Sequence, residues 1–414
     1  MGEPWIRKFA VIWTGQFISL LSSTAVNFAI IIWLSLETRS AEVLAYAAIA
    51  GLLPQALIGV AAGVYVDRWS KKWTMVISDS MVAVSTLGLS IAFSLGYNNV
   101  LLIYGILALR STGSAFHMPA MQATAPLIAP KAELLRIAGV NQLLQSGTII
   151  GGPALGALLV GTFDIGHVLL LDVIGAGFAI ASLLLVRFPE DKKNRLIRGK
   201  IHPVKIFLRD LRTGYSAIRE NCGLLALFFV SLGTAFFMIP IGPLLPLITL
   251  DHFNGGKFEI SVIEIIWGIG MFMGSFILAL IKPKKFKIAG INLMNVLAGL
   301  LLAGAGLLSA SHFSVFVLFV GLCGATYSIE SALFTTVVQE NIEQNMLGRV
   351  FSMYYSLIVL PSIFGLLSTG FLSEWLGINR TFVVFGGLVT LIGMLSFFVP
   401  ALIALDSKAD VPEE

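Results

Sequence analysis

Arg110 stands near the middle of a long apolar run, 100 to 121, where an arginine costs roughly 2.5–3.5 kcal/mol on insertion scales. A guanidinium in that setting needs water or an acidic partner. Ser114, His117 and Met121 follow at helical spacing, so one face of the segment turns toward the protein interior. Three acids share the position of Arg110: Asp79, Glu264 and Glu330 each lie within an apolar run. A low-dielectric setting disfavours the ionised form of a carboxyl, and that property suits a group which must take up and release protons. Arg110 either joins such chemistry or serves as a structural ion-pair partner. Asp79 can carry a proton or pair with Arg110 or with the loop cluster described next. Glu264, near the outer end of its run, carries a proton or reaches outer water. Glu330, with Tyr327 one turn away, is a site for a proton or a cationic substrate.

Charge gathers again at Gly63-Val-Tyr-Val-Asp67-Arg68-Trp-Ser-Lys71-Lys72, between two apolar runs. Hydrocarbon cannot solvate these groups, so the cluster lies at a membrane face, with Gly63 and Asp67 about one helical turn apart. Neutral polar residues form stripes: Gln16, Ser19, Ser23 and Asn27 on one helix face, and Asn141, Gln145 and Thr148 on another. Stripes of this kind line an aqueous cavity or bond to neighbouring helices at roughly 0.6 kcal/mol each. Asn27, Asn141 and Gln145 are cavity candidates on the first view. Phe236, Phe237, Trp267, Tyr327, Tyr354 and Tyr355 offer an aromatic wall for a bulky ligand, or simply pack. Gly147, Gly151, Gly152, Pro153 and Gly156 predict a kinked helix that a neighbour approaches closely.

The elements that must hold these residues are transmembrane helices. The 414 residues are 57% hydrophobic and 12% charged, with a mean hydropathy of +0.90, beyond what a water-soluble core requires. Twelve apolar spans are expected, at about 9–36, 43–66, 73–95, 100–121, 137–160, 166–187, 222–250, 260–281, 288–310, 314–338, 346–372 and 380–404. The fold class is therefore all-α and polytopic. A basic interval at 189–221 divides the chain into a first six-helix bundle, 1–188, and a second, 222–414, and its apolar periodicity predicts an amphipathic helix on the membrane. With a cytoplasmic N-terminus, 23 of the 27 Lys and Arg fall on inner segments and three on outer loops, Arg110 being the remaining one. Both termini are thus expected in the cytoplasm of a bacterial-type inner membrane. Lys282, Lys284, Lys285 and Lys287 follow span eight as Asp67 to Lys72 follow span two, a faint repeat in which the acid is missing.

Several classes drop out. The five histidines show no ligand spacing, so no metal is expected, and no phosphate-cradling loop suggests ATP. No cofactor and no catalytic constellation are read, and Cys222 and Cys323 are expected to be inert thiols. The net charge of +4 is spread over short loops, which points to membrane lipids and not to nucleic acid. A monomer is expected.

Trp13-Thr-Gly-Gln16, Asp67-Arg68, Arg110-Ser-Thr-Gly113, Gly152-Pro153-Ala-Leu-Gly156, Pro243-Leu-Leu-Pro246 and Leu347-Gly348-Arg349 resemble the major facilitator superfamily, in particular the macrolide-efflux branch of its drug and proton antiporters. That resemblance spans nearly the whole chain. It implies twelve helices in two pseudo-symmetric bundles that rock about a midplane site, exporting a bulky amphipathic compound in exchange for protons. It assigns proton coupling to Arg110, an antiporter signature to the helix-five glycines and proline, and gating to Asp67 and Arg68 against the helix-eleven start near Gly348 and Arg349. Arg110 and Gly113 stand one residue closer than the common pattern, and Ser70 replaces the usual glycine. Arg110→Ala is expected to abolish gradient-driven transport and leave the fold intact. Export of an endogenous metabolite such as a siderophore or lipid is the alternative, and a non-transporting receptor or scaffold a remote one.

Overall fold

The computed structural model describes residues 4–130, 133–188, 212, 215, 216, 218, 219, 221–281 and 286–408. Its elements are α1 (Pro4–Thr38), α2 (Ala41–Arg68), α3 (Lys71–Ser94), α4 (Val100–Ile128), α5 (Leu134–Thr162), α6 (Ile165–Leu185), α7 (Cys222–Met238), α8 (Ile241–Asp251), α9 (Lys257–Ile281), α10 (Lys287–Leu307), α11 (Phe313–Asn341), α12 (Gln344–Leu376), α13 (Ile378–Ser396) and α14 (Pro400–Lys408). No strand occurs among the described residues. Eleven helical segments are long and apolar enough to cross a membrane, and Gly147–Thr162 of α5 adds a shorter apolar stretch. Asp172 and Gln16 have no exposed surface while Leu185 and Phe398 are 80% exposed, an arrangement that suits hydrocarbon surroundings and not water.

Two expected spans are broken. The seventh runs as α7 and α8, because Pro240 has no N–H to donate to the carbonyl of Phe236. Gly365 of α12 packs directly on that freed carbonyl, in a place where a Cβ would collide with it. The twelfth stops at Ser396 and resumes as the short α14 behind Pro400. The linker expected to carry an amphipathic helix lies largely outside the described residues, as do Lys282, Lys284 and Lys285.

The chain separates into two compact units, one of Met1–Leu34 and Tyr46–Phe207, the other of Ser35–Ala45 and Leu208–Glu414. In the first, α3 packs against both α4 and α6; in the second, α10 packs against both α11 and α13, the same relation repeated. Small residues set the crossings. Gly15 and Gly175 of α1 and α6 face Ser182 and Ser22, and Gly270 and Gly274 of α9 face Gly321 and Ala325 of α11. Close backbone approach replaces the hydrophobic drive that lipid cannot supply. In the second unit, the turn after α1 is held by Arg39 facing Asp251 at 3.4 Å.

Candidate functional site

Arg110, 3% exposed, projects from α4 into the interior of the first unit, where its ion-pair partner is Asp172 of α6. The guanidinium also donates to the Thr86 hydroxyl, to Asn27 Oδ1 at 3.1 Å and to the Ser23 carbonyl at 3.2 Å. Asp172 accepts in addition from Ser23 Oγ at 2.5 Å and from Thr86 Oγ1 at 2.9 Å. Four helices thus close one charge-neutral network. Burial of each ion is offset by a full set of polar partners, the condition a buried pair needs to persist. Of the roles open to Asp79, a proton carrier or a partner of Arg110 or of the loop cluster, pairing with Arg110 falls away: the ion-pair partner of Arg110 is Asp172, an acid not among the candidates. The signal was available, since Asp172 is a lone acid in an apolar run as Asp79 is.

Asp79 belongs to a second network. Its carboxylate lies 3.3 Å from His117 Nε2 and accepts from Gln16 Nε2 at 3.3 Å, while His117 Nε2 and Gln16 Oε1 are 2.8 Å apart. The two networks share three helices in a fixed register: Gln16 and Ser23 on α1, Asp79 and Thr86 on α3, His117 and Arg110 on α4 are each seven residues apart. Seven residues are two turns, about 10 Å. The interior of this unit therefore carries two polar layers, one stacked on the other.

Three of the four residues of the helix-one stripe take part in these layers, Gln16 in one and Ser23 and Asn27 in the other. Asn141 accepts a hydrogen bond from Trp13 Nε1. The helix-five glycines face α1: a Cβ on Gly147 would touch Phe17 at 3.5 Å, one on Gly151 would press on Leu21 at 3.2 Å, and those on Gly152 and Gly156 would collide with Thr24 and with the backbone of Ala25. The helix continues unbroken through Pro153.

In the Gly63 to Lys72 cluster, Lys72 donates to the carbonyls of Val186 at 3.0 Å and Leu184 at 3.5 Å, where α6 ends, and its charge suits the negative end of that helix. Lys71 is buried. Ser70 caps α3, its hydroxyl accepting from the Trp73 amide at 3.5 Å, which gives the serine at this position a local role. Gly63 lies in α2, and the side chains of Asp67, Arg68 and Arg349 lie outside the described residues, as do those of Gln145 and Tyr355.

Glu264 on α9 is 8% exposed and does not reach outer water. Glu330 on α11 opens into a cavity of about 130 Å³ lined by Ser231, Thr234, Asn295, Tyr327 and Tyr354. Among the described residues no hydrogen bond or ion pair reaches Glu330. Tyr354 hydroxyl and Ser231 Oγ are 2.5 Å apart, and Phe228, Phe334 and Tyr354 meet in tilted and edge-to-face contacts with centroids 4.6–5.5 Å apart. Trp267 meets Tyr327 at 6.2 Å, whereas Phe236 packs on Phe237 at 4.8 Å and lies outside the cavity lining. No cluster of three metal-ligating side chains occurs among the described residues.

The Major Facilitator Superfamily model matches residues 12–366. Macrolide efflux protein A of Streptococcus pyogenes is 34% identical over 406 residues, covering 98% of both chains. A protein of the same description from Enterococcus faecalis is 35% identical over 318 residues, 76% of this chain and 96% of that one. Among solved structures, a D-xylose-proton symporter superposes with a TM-score of 0.72 at 14% identity, over 99% of this chain and 100% of that one.

Proposed function

This chain belongs to the major facilitator superfamily and is a multi-pass membrane transporter, and from that premise we propose that it is a secondary active exporter of bulky amphipathic compounds, macrolide-like or more broadly multidrug. Likeness to a macrolide efflux protein over 98% of both chains carries the reading. Proton antiport through alternating access is the proposed drive. It is supported by the buried ionisable groups, Asp79 with His117 and Arg110 with Asp172, which are expensive to keep in a membrane interior unless they work there. The protein would sit in a bacterial-type inner membrane with both termini cytoplasmic, an orientation supported by the distribution of Lys and Arg.

Everted vesicles carrying the protein test this directly. An imposed gradient, acidic inside, is expected to drive accumulation of a macrolide, and an uncoupler to collapse it. Failure to accumulate any macrolide or lipophilic cation, or accumulation indifferent to the uncoupler, would sink the proposal.

A further inference from the structure

The two polar layers of the first unit differ in whether they can change their proton count. Arg110 stays charged at every accessible pH, and Asp172 accepts from Arg110, Ser23 and Thr86, so that pair holds its charge fixed. In the other layer both oxygens of Asp79 face a donor, Oδ1 the Nε2 of His117 and Oδ2 the amide nitrogen of Gln16, each at 3.3 Å. His117 Nε2 in turn lies between two acceptors, Asp79 Oδ1 and, at 2.8 Å, Gln16 Oε1. Two oxygens with nothing to donate require a hydrogen on Nε2, and a neutral imidazole protonated there carries its lone pair on Nδ1. Among the described residues no hydrogen bond reaches Nδ1. The His117 side chain also keeps 7% of its surface exposed, against 0% for Asp172, so a proton has a way in.

We propose that His117, and not a carboxyl, is the group in the first unit that takes up and releases the exchanged proton. Nδ1 receives the proton from water, and the ring becomes an imidazolium beside a carboxylate that stays ionised. The pair passes from one negative charge to none, and release of the Nδ1 proton to water reverses the step. Asp79 is a positioning residue, which fixes the tautomer and supplies the counter-charge. Gln16 bridges the two, donating to the acid and accepting from the ring. Its oxygen competes with the carboxylate for the single Nε2 hydrogen. Charging the ring favours the carboxylate, because hydrogen bonds between ionised groups are the stronger, and so loosens the hold on Gln16 and on α1. Among the described residues the charges that bear on Asp79 are His117 and Asp172, and Asp172 is neutralised by Arg110. This assignment rests on the proton-antiport reading and adds to it the atom that carries the proton.

Nitrogen NMR of the purified full chain in lipid nanodiscs, with histidine labelled at both ring nitrogens, reads the site directly once the His117 signals are assigned by their absence from His117→Gln. At alkaline pH His117 is expected as the Nε2–H tautomer, and on acidification it is expected to gain a proton at Nδ1. An Nδ1–H tautomer, which would place the labile proton on Asp79, overturns the assignment. So does a ring that keeps a single proton across the pH range in which vesicles accumulate a macrolide. In everted vesicles, His117→Gln with unchanged thermal unfolding is expected to lose uncoupler-sensitive accumulation. Accumulation by that variant with the wild-type pH profile overturns the carrier and leaves export standing. If His117→Gln does not fold, the signals are assigned by their change in Asp79→Asn, and the tautomer decides alone. No accumulation by wild type under an imposed gradient overturns antiport, and the carrier role with it.

Discussion

At the scale of single residues, the Arg110 and Asp172 pair changes what a substitution at Arg110 means. Arg110→Ala was expected to leave the fold intact, yet removing one partner strands a carboxylate that has no exposed surface. Breaking such a pair costs about 3–5 kcal/mol, a large part of a membrane bundle's margin. Arg110→Ala alone is therefore expected to lower the unfolding temperature by several degrees and reduce the amount of folded protein, with loss of transport following from both. Arg110→Met with Asp172→Leu removes both charges together and is expected to recover the fold while transport stays absent; differential scanning fluorimetry and vesicle uptake on the same preparations read the two effects separately. Gradient-driven transport by the double variant would reduce the pair to scaffold. Arg110 was legible in the sequence because a guanidinium in an apolar run is conspicuous. Its partner was not assigned, since pairing depends on which helices touch, and α3 and α6 both border α4's interior face with an acid to offer.

At the scale of elements, the helix-five motif shows where sequence stops being informative. Glycine spacing predicts that some helix comes close, and the structure identifies it as α1, with Gly147, Gly151, Gly152 and Gly156 stepping along it. The decisive position is Gly156, where an added Cβ would meet the backbone of Ala25 and no rotamer change can relieve the overlap. Alanine normally gains up to about 1 kcal/mol over glycine in a helix, whereas overpacking costs about 1–3 kcal/mol. Steric strain should win here, so Gly156→Ala is expected to lower the melting temperature by a few degrees. Gly161→Ala, on the same helix with open space around it, is the control and should match wild type or exceed it. If the two variants melt alike, the close approach of α1 is not what the glycine serves. Span boundaries were legible to within a few residues wherever apolar runs end in charge. The breaks at Pro240 and before Pro400 were not read, because hydropathy carries no record of a missing backbone donor.

At the scale of the whole molecule, the distribution of basic residues makes a claim that reporters can check. Alkaline phosphatase fused after Asn254 or after Gly377 should be active, and fusions after Arg68 or Lys408 inactive; activity at Lys408 would reverse the orientation. The two-fold repeat was only faintly legible, as a basic segment after spans two and eight. Its better evidence is the packing, α3 against α4 and α6 in the first unit as α10 against α11 and α13 in the second, a relation that no comparison of residue types reveals. The buried pair in the first unit also constrains how the protein is made. Arg110 leaves the ribosome 62 residues ahead of Asp172. At about 5–20 residues per second, roughly 3–12 s pass in which α4 carries an uncompensated charge. The helix cannot settle in lipid during that interval without water or the insertion machinery shielding it. The arrival of α6, which brings the counter-charge, is thus the step that lets α4 give up that shielding.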